Sequence, residues 1–375
     1  MGKRIFSAVT ALVLFASFTV TAFALTAAPG VSAKSAVLVH ADTGEVLFEK
    51  NADERMLIAS TTKVMTALVV LENCDPDESV TVPEEAVYIE GSSMYLRAGN
   101  TYTVRELLYG LLLVSGNDAA MALALHVSGS TEDFAALMNE KASRLGLCDT
   151  AFANPHGLDA QEHYSTAREL AVIMAEAMRD PVFREIDGTK AVNIGELTYV
   201  NHNKLLWNYH GVNGGKTGYT MASGRSLISS AERDGLEMIC VTLNDPDDWA
   251  DHAALYDWGF GDFEYRAPVP LGEYAQVTVV SGVSDRVGVA PGAETRFLLR
   301  RGAEIEYLVE LPRFVFAELR AGERAGTIVV TADGEFAGMV PLYFTESVGG
   351  AEGIRLNAWE RFRRAWFIAN PSAVR

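Results

Sequence analysis

The feature that most restricts this chain is a change in the period of its apolar residues, made twice. Ala36 to Ala41 reads as a strand, Asp42-Thr43-Gly44 as a turn, and Glu45 to Lys50 as the returning partner. The spacing then becomes helical. Val64, Met65, Leu68, Val69 and Leu71 trace a mostly apolar helix that starts at Ser60. Thr103 and Glu106 form a capping box for a helix through Leu113, and Asp118 to Ser128 follows after the break Ser115-Gly116-Asn117. Thr131 to Leu145 stops at Gly146; Thr166 and Glu169 open another helix, which Asp180-Pro181 ends. Period two returns in Ser226–Ser230 and Met238–Leu243, joined through Arg233-Asp234-Gly235, before a helix from Asp248 to Trp258 that ends at Gly259. Strands on both sides of a helical block are best accommodated in one sheet whose early and late strands meet, with the helices packed on it.

After about Phe263 the helical period disappears. Gln276–Val280, Arg296–Leu299, Ile305–Leu311, Phe314–Leu319 and Thr327–Val330 read as short strands, with a last one after Ala332-Asp333-Gly334 ending near Phe344. Short strands without helices suggest a small β-sandwich or barrel. A chain of 375 residues exceeds one ordinary domain. The expected units are residues 34–262 and 272–345, with a boundary at 262–272.

The two ends differ from the rest. Lys3 and Arg4 precede an apolar run from Ile5 to about Phe23, the layout of an export signal over residues 1–24. Ala22-Phe23-Ala24 offers a small-x-small cleavage pattern, and Val31-Ser32-Ala33 a weaker, later one; an uncleaved anchor is the other reading. Residues 353–375 carry five arginines against Glu360, with Trp359, Phe362 and Trp366 at helical spacing. Such a helix suits an anionic membrane surface, or packs its aromatics on the neighbouring domain. The net charge of −18 speaks against a nucleic-acid partner, which needs clustered Lys and Arg. Cys74, Cys148 and Cys240 are too few and too scattered for a disulfide framework. Neither Cys-x-x-Cys nor His-Glu-x-x-His occurs, so no metal and no cofactor is expected.

Three short motifs carry chemistry. In Ser60-Thr61-Thr62-Lys63, a helix would put the hydroxyl and the amine on one face. The amine can take the hydroxyl's proton only if burial or a neighbouring cation keeps it neutral. At a helix N-terminus the Ser60 N–H would also be available to an oxyanion. Ser115-Gly116-Asn117 offers a hydroxyl to relay a proton and a carboxamide to hold a substrate amide; as a plain turn, Gly116 would supply a positive φ. Gly214-Gly215-Lys216-Thr217-Gly218 offers a cation beside the first motif, a hydroxyl for a carboxylate, and at Gly218 a bare strand edge that a substrate backbone can approach. Alone, each motif has an ordinary reading as cap or turn. Together, each supplies what the others lack.

The set Ser-x-x-Lys, Ser-x-Asn and Lys-Thr-Gly, in this order, resembles that of penicillin-binding proteins and class A β-lactamases. The longer run Ala59-Ser60-Thr61-Thr62-Lys63-Val64-Met65-Thr66-Ala67-Leu68, with Pro155-His156-Gly157-Leu158-Asp159 and Asn201-His202-Asn203-Lys204-Leu205-Leu206, is similar to the low-molecular-mass D-alanyl-D-alanine carboxypeptidases. That resemblance implies an α/β catalytic domain, an antiparallel sheet with helices, followed by a small all-β domain and a membrane-binding tail. It implies an exported enzyme at the outer face of the cytoplasmic membrane, acting on peptidoglycan stem peptides and acylated by β-lactams. It casts Ser60 as nucleophile, Lys63 as base, Ser115 as proton relay and Asn117 as substrate-amide holder. Lys216 and Thr217 would bind the terminal carboxylate beside Gly218, with the N–H groups of Ser60 and Tyr219 as oxyanion donors.

Two departures bear on this reading. His202 stands where some relatives have Arg, which leaves its part in carboxylate recognition open. Gly116 replaces the Asp of class A β-lactamases, and no Glu-x-x-x-Asn segment supplies their deacylating base. A β-lactamase, or a non-enzymatic wall-binding or antibiotic-sensing module, are the competing readings.

Overall fold

The computed structural model describes residues 27–351 and Trp359. The expected export signal over residues 1–24 and the expected tail helix lie outside the described residues, Trp359 apart. The first unit is built on a five-stranded antiparallel sheet. Its strands are β1 (Ser35–His40), β2 (Val46–Lys50), β3 (Val212–Thr220), β4 (Gly224–Arg233) and β5 (Leu236–Leu243), in the order β2-β1-β5-β4-β3. Early and late strands therefore meet: β1 pairs with β5 from Ser35↔Leu243 to His40↔Met238. The β4–β5 turn is Asp234-Gly235, both at positive φ (52° and 78°), the backbone that a two-residue hairpin requires.

Helices α1 (Lys63–Asn73), α2 (Val104–Leu112), α3 (Asn117–Ser128), α4 (Thr131–Arg144), α5 (Ala167–Ala177) and α6 (Pro181–Asp187) fill the middle of the chain. Their apolar faces close one core against the sheet, from Val37 and Val39 through Leu107, Leu111 and Phe134 to Ile239 and Val241. The capping box at α2 is present in both directions, Thr103 Oγ1 accepting from Glu106 N and Glu106 accepting from Thr103 N. At α5 only the first half forms. The Glu169 carboxylate turns instead to the N–H groups of Cys148 and Asp149.

Two expected stops are corrected. Asp180-Pro181 does not end α5, which stops at Ala177; it starts α6, with Asp180 as N-cap and proline in the first turn, where no N–H is needed. Gly259 does not end the last helix, α7 (Asp248–Asp262), but sits inside it. A Cβ there would lie 2.7 Å from Met238 Sδ and 2.9 Å from Leu38 Cδ2, so glycine lets this helix press onto the sheet's other face. Leu38, Met238, Cys240, Tyr256 and Phe260 form the core on that side.

The second unit is all β. Six strands run in the order Ile305–Glu310, Arg324–Ala332, Glu335–Phe344, Arg286–Pro291, Ala275–Val280, Phe314–Phe316, and a separate pair joins Phe263–Arg266 to Phe297–Arg300. All pairings are antiparallel except Ala275–Val280 with Phe314–Phe316. Arg286–Pro291 was not expected from the sequence; its Gly288 and Pro291 disguise it. This unit has its own core around Val289, Ile328, Val330 and Leu342.

Candidate active site

The chain enters α1 through a tight turn, Ala59–Thr62, with Ala59 held at φ 46° although it is not glycine. Thr61 and Thr62 hydroxyls donate back to Ile58 O (2.6 Å) and Ala59 O (2.7 Å), which pins that conformation. Ser60 stands half-buried on the turn, and Lys63 opens α1 fully buried.

Among the described residues, Lys63 Nζ has three hydrogen-bond partners: Ser60 Oγ at 2.9 Å, Asn117 Oδ1 at 2.7 Å and His156 O at 2.6 Å. The last two can only accept. Asn117 is fixed in this orientation because its Nδ2 donates to Glu90 O (2.5 Å), so its oxygen must face the lysine. A neutral amine has two N–H bonds and one lone pair. The two carbonyl-type oxygens consume both hydrogens, and the lone pair is left for the one neighbour that can donate, the Ser60 hydroxyl. Burial first, then the charge of Lys216, hold the Lys63 ammonium well below the usual lysine range, with the Asp118 carboxylate opposing them. This geometry suits a neutral Lys63 amine facing Ser60, and the electrostatics favour that neutral form.

The second motif sits between α2 and α3. The left-handed residue there is Ser115 (φ 61°), not Gly116, which corrects the turn expected from sequence. Gly116 is required for space: a Cβ would lie 2.8 Å from Asp118 Oδ1 and 3.2 Å from Gly110 O. Ser115 Oγ is buried and has no hydrogen-bond partner among the described residues. A buried hydroxyl in a sparsely populated backbone conformation is the kind of feature that active sites retain. Asp118, read from the sequence only as the start of a helix, organises the loop in front of α3 by accepting from Met94 N (2.8 Å), Leu96 N (3.0 Å) and Ser93 Oγ (2.7 Å).

The third motif lies on β3, the edge strand beside the turn that carries Ser60. A Cβ on Gly218 would meet Ile58 O at 3.1 Å and Ser60 N at 3.2 Å. The bare Cα is thus used by the protein's own Ser60 turn, which lies against it. Lys216 is buried and donates to Thr217 O (2.8 Å); burial lowers its pKa to about 7, with Asp187 opposing. Thr217 is half-buried and Tyr219 exposed. Asp187 is buried beneath the strand and accepts from Gly215 N (2.5 Å); burial raises its pKa to about 6. His202 is at the surface, tied by its N–H to Leu113 O (2.9 Å), and partial shielding of its ring together with Lys216 lowers its pKa.

The segment Pro155–Asp159 has a larger part than the sequence suggested. Besides His156 O on Lys63, Pro155 O accepts from Thr66 (2.6 Å) and Asp159 accepts from Thr220 (3.1 Å). Gly157, at φ 89°, lies directly against Ala59 O. His163 accepts from Ala153 N through Nδ1 (3.1 Å), so its Nε2 carries the hydrogen facing Thr62 Oγ1 (2.7 Å). Burial and Lys63 lower the pKa values of His156 and His163 to about 4 each. Apart from that of Asp159, these contacts are made by backbone carbonyls and by a distant imidazole, for which sequence spacing gives no signal.

A D-alanyl-D-alanine carboxypeptidase family model matches residues 22–247, more than half of the chain. The chain belongs to this family. D-alanyl-D-alanine carboxypeptidase DacF of Bacillus subtilis is 31% identical over 96% of the chain and 100% of its own length. DacC of Escherichia coli is 34% identical over 90% of the chain and 89% of its own. Among solved structures, penicillin-binding protein 5 of Haemophilus influenzae superposes with a TM-score of 0.73 at 31% identity, covering 86% of this chain and 98% of that one. The agreement extends through the second, sheet-rich unit.

Proposed function

We propose that this chain is a serine-type D-alanyl-D-alanine carboxypeptidase that removes the terminal D-Ala from peptidoglycan stem pentapeptides. The observation that carries the reading is the buried Lys63 Nζ at 2.9 Å from Ser60 Oγ, with its other two partners, Asn117 Oδ1 and His156 O, able only to accept. Ser60 Oγ attacks the carbonyl carbon of the penultimate D-Ala as Lys63 takes the hydroxyl proton. The N–H groups of Ser60 and Tyr219 stabilise the oxyanion. Lys216 and Thr217 bind the terminal carboxylate, and Asn117 holds the substrate amide with the N–H it has free beyond Glu90 O. When the C–N bond breaks, Ser115 passes a proton to the departing amine. Water then hydrolyses the Ser60 ester, returning the serine. β-Lactams acylate the same oxygen.

Residues 34–262 form the catalytic unit and 272–345 the β-rich one, preceded by an export signal and followed by a membrane-associating tail. The charge and aromatic pattern of both ends supports placement at the outer face of the cytoplasmic membrane. The test compares release of free D-Ala from a pentapeptide with turnover of penicillin. Release of D-Ala with a long-lived penicilloyl adduct supports the reading; rapid penicillin turnover without D-Ala release overturns it.

A further inference from the structure

Far from Ser60, Cys74, Glu78 and His126 bring a thiol, a carboxylate oxygen and an imidazole nitrogen within 4.8 Å of one another. The three come from separate elements: Cys74 follows the last residue of α1, Glu78 lies in the turn before the strand Ser79–Thr81, and His126 is in the last turn of α3. Each backbone position is fixed. Cys74 N donates to Val70 O (2.9 Å), Glu78 N to Asp75 O (3.0 Å), and Glu78 O accepts from Val104 N (2.9 Å). The side chains are already drawn together, His126 Nε2 standing 3.0 Å from Glu78 Oε1. No disulfide competes for the thiol, since Cys74, Cys148 and Cys240 are all free.

We infer that Cys74, Glu78 and His126 form a binding site for a thiophilic divalent cation, zinc being the natural choice. Sulfur, imidazole nitrogen and carboxylate oxygen are zinc's three usual protein donors, and three of them leave a fourth tetrahedral position to water. Cys74 loses its thiol proton to solvent as the metal–sulfur bond forms, and His126 binds through Nε2 in its neutral form. The metal-free expectation from sequence rested on local spacing, which ligands gathered from three elements escape. The consequence is mechanical. α1 and α3 start at Lys63 and Asn117, and the site joins their opposite ends, roughly 16 Å away along an 11-residue helix. It is a clamp on the scaffold and has no part in the acylation chemistry.

The test is titration of the chelator-treated full chain with Zn²⁺ alone, followed by Cd²⁺ to report thiolate ligation in the near ultraviolet. One equivalent of Zn²⁺ should bind and raise Tm by about 4 °C or more when zinc is in large excess over Kd. Cys74→Ser and His126→Ala should each weaken binding by at least ~10-fold and abolish or diminish the Tm gain. Cys148→Ser should change neither, and β-lactam acylation should persist in all three. Glu78→Gln, which keeps the shape, should also weaken binding and serves if Cys74→Ser does not fold. The inference is overturned by absence of saturable binding at micromolar zinc, by a Cys74→Ser variant that binds as the wild type does, or by a cadmium–thiolate band that depends on Cys148.

Discussion

Gly157→Ala isolates the part played by the segment that carries His156. Gly157 lies at φ 89°, and an added Cβ would overlap Ala59 O, stand 2.5 Å from Ala59 C and 2.9 Å from Thr62 Oγ1. Gly146 is the matched control, at φ 77° with nothing within 4 Å of its Cβ position. Alanine at either position pays a left-handed backbone penalty of about 1–2 kcal/mol. Only Gly157→Ala must also drive the 155–159 segment away from the nucleophile turn, by roughly 1 Å, which adds about 1–3 kcal/mol of overpacking. That movement withdraws His156 O from Lys63 Nζ, so the amine loses one of the two acceptors that aim its lone pair at Ser60. A displacement of this size in a catalytic group costs about 100-fold in rate. Urea denaturation of both variants gives the stability difference, and the rate of labelling by a fluorescent penicillin gives the acylation difference. Gly146→Ala should acylate like the wild type. The reasoning is refuted if Gly157→Ala acylates within a few-fold of the wild-type rate, or loses no more stability than Gly146→Ala.

Further outcomes follow from the same contacts. Gly218→Ala asks the nucleophile turn to yield by a few tenths of an ångström against Ile58 O and Ser60 N; acylation should slow by about 10-fold with stability changed by less than ~1 kcal/mol, and an unchanged rate would show that the β3 edge does not set the position of Ser60. Lys63→Arg keeps a cation that cannot lose its proton, so acylation should fall at least ~100-fold at every accessible pH; recovery of the rate at high pH would contradict the base assignment. His156 and His163 are held neutral with pKa values of about 4, below the ordinary 6.5. Their contribution to stability is complete above pH 6.5 and is lost as pH falls from there to about 4, at up to about 1.4 kcal/mol per pH unit for each imidazole. Urea denaturation between pH 7.5 and 4.5 should show the decline, and His163→Gln should reduce its slope by about one proton; an unaltered slope would mean that His163 charges freely in the folded chain.

What the sequence disclosed and what it concealed divide along physical lines. Helical periodicity placed the helices, the apolar content of β1 and β5 placed two strands that are buried on both faces, and turn chemistry placed the Asp234-Gly235 hairpin because only two positive φ values fit it. The Ser60–Lys63 pair was legible because i and i+3 adjacency is local, even though Ser60 stands on a tight turn just ahead of α1. Gly259 was read as a stop because its packing against Met238 is a long-range fact. For the same reason Gly116 was given the positive φ that belongs to Ser115: the space it must leave for Asp118 cannot be seen along the chain. The acceptors that aim Lys63 are the hardest case. One is a main-chain oxygen at His156, to which residue type contributes nothing, and the other is an amide whose orientation depends on the Glu90 carbonyl.

The central claim is that Ser60 carries the acyl group, activated by Lys63. The most direct measurement is mass spectrometry of the protein trapped with a β-lactam, with the adduct mapped by peptide fragmentation. The account predicts one adduct per chain, on the peptide containing Ser60 and absent from Ser60→Ala. An adduct on any other residue, or one that survives in Ser60→Ala, would contradict it.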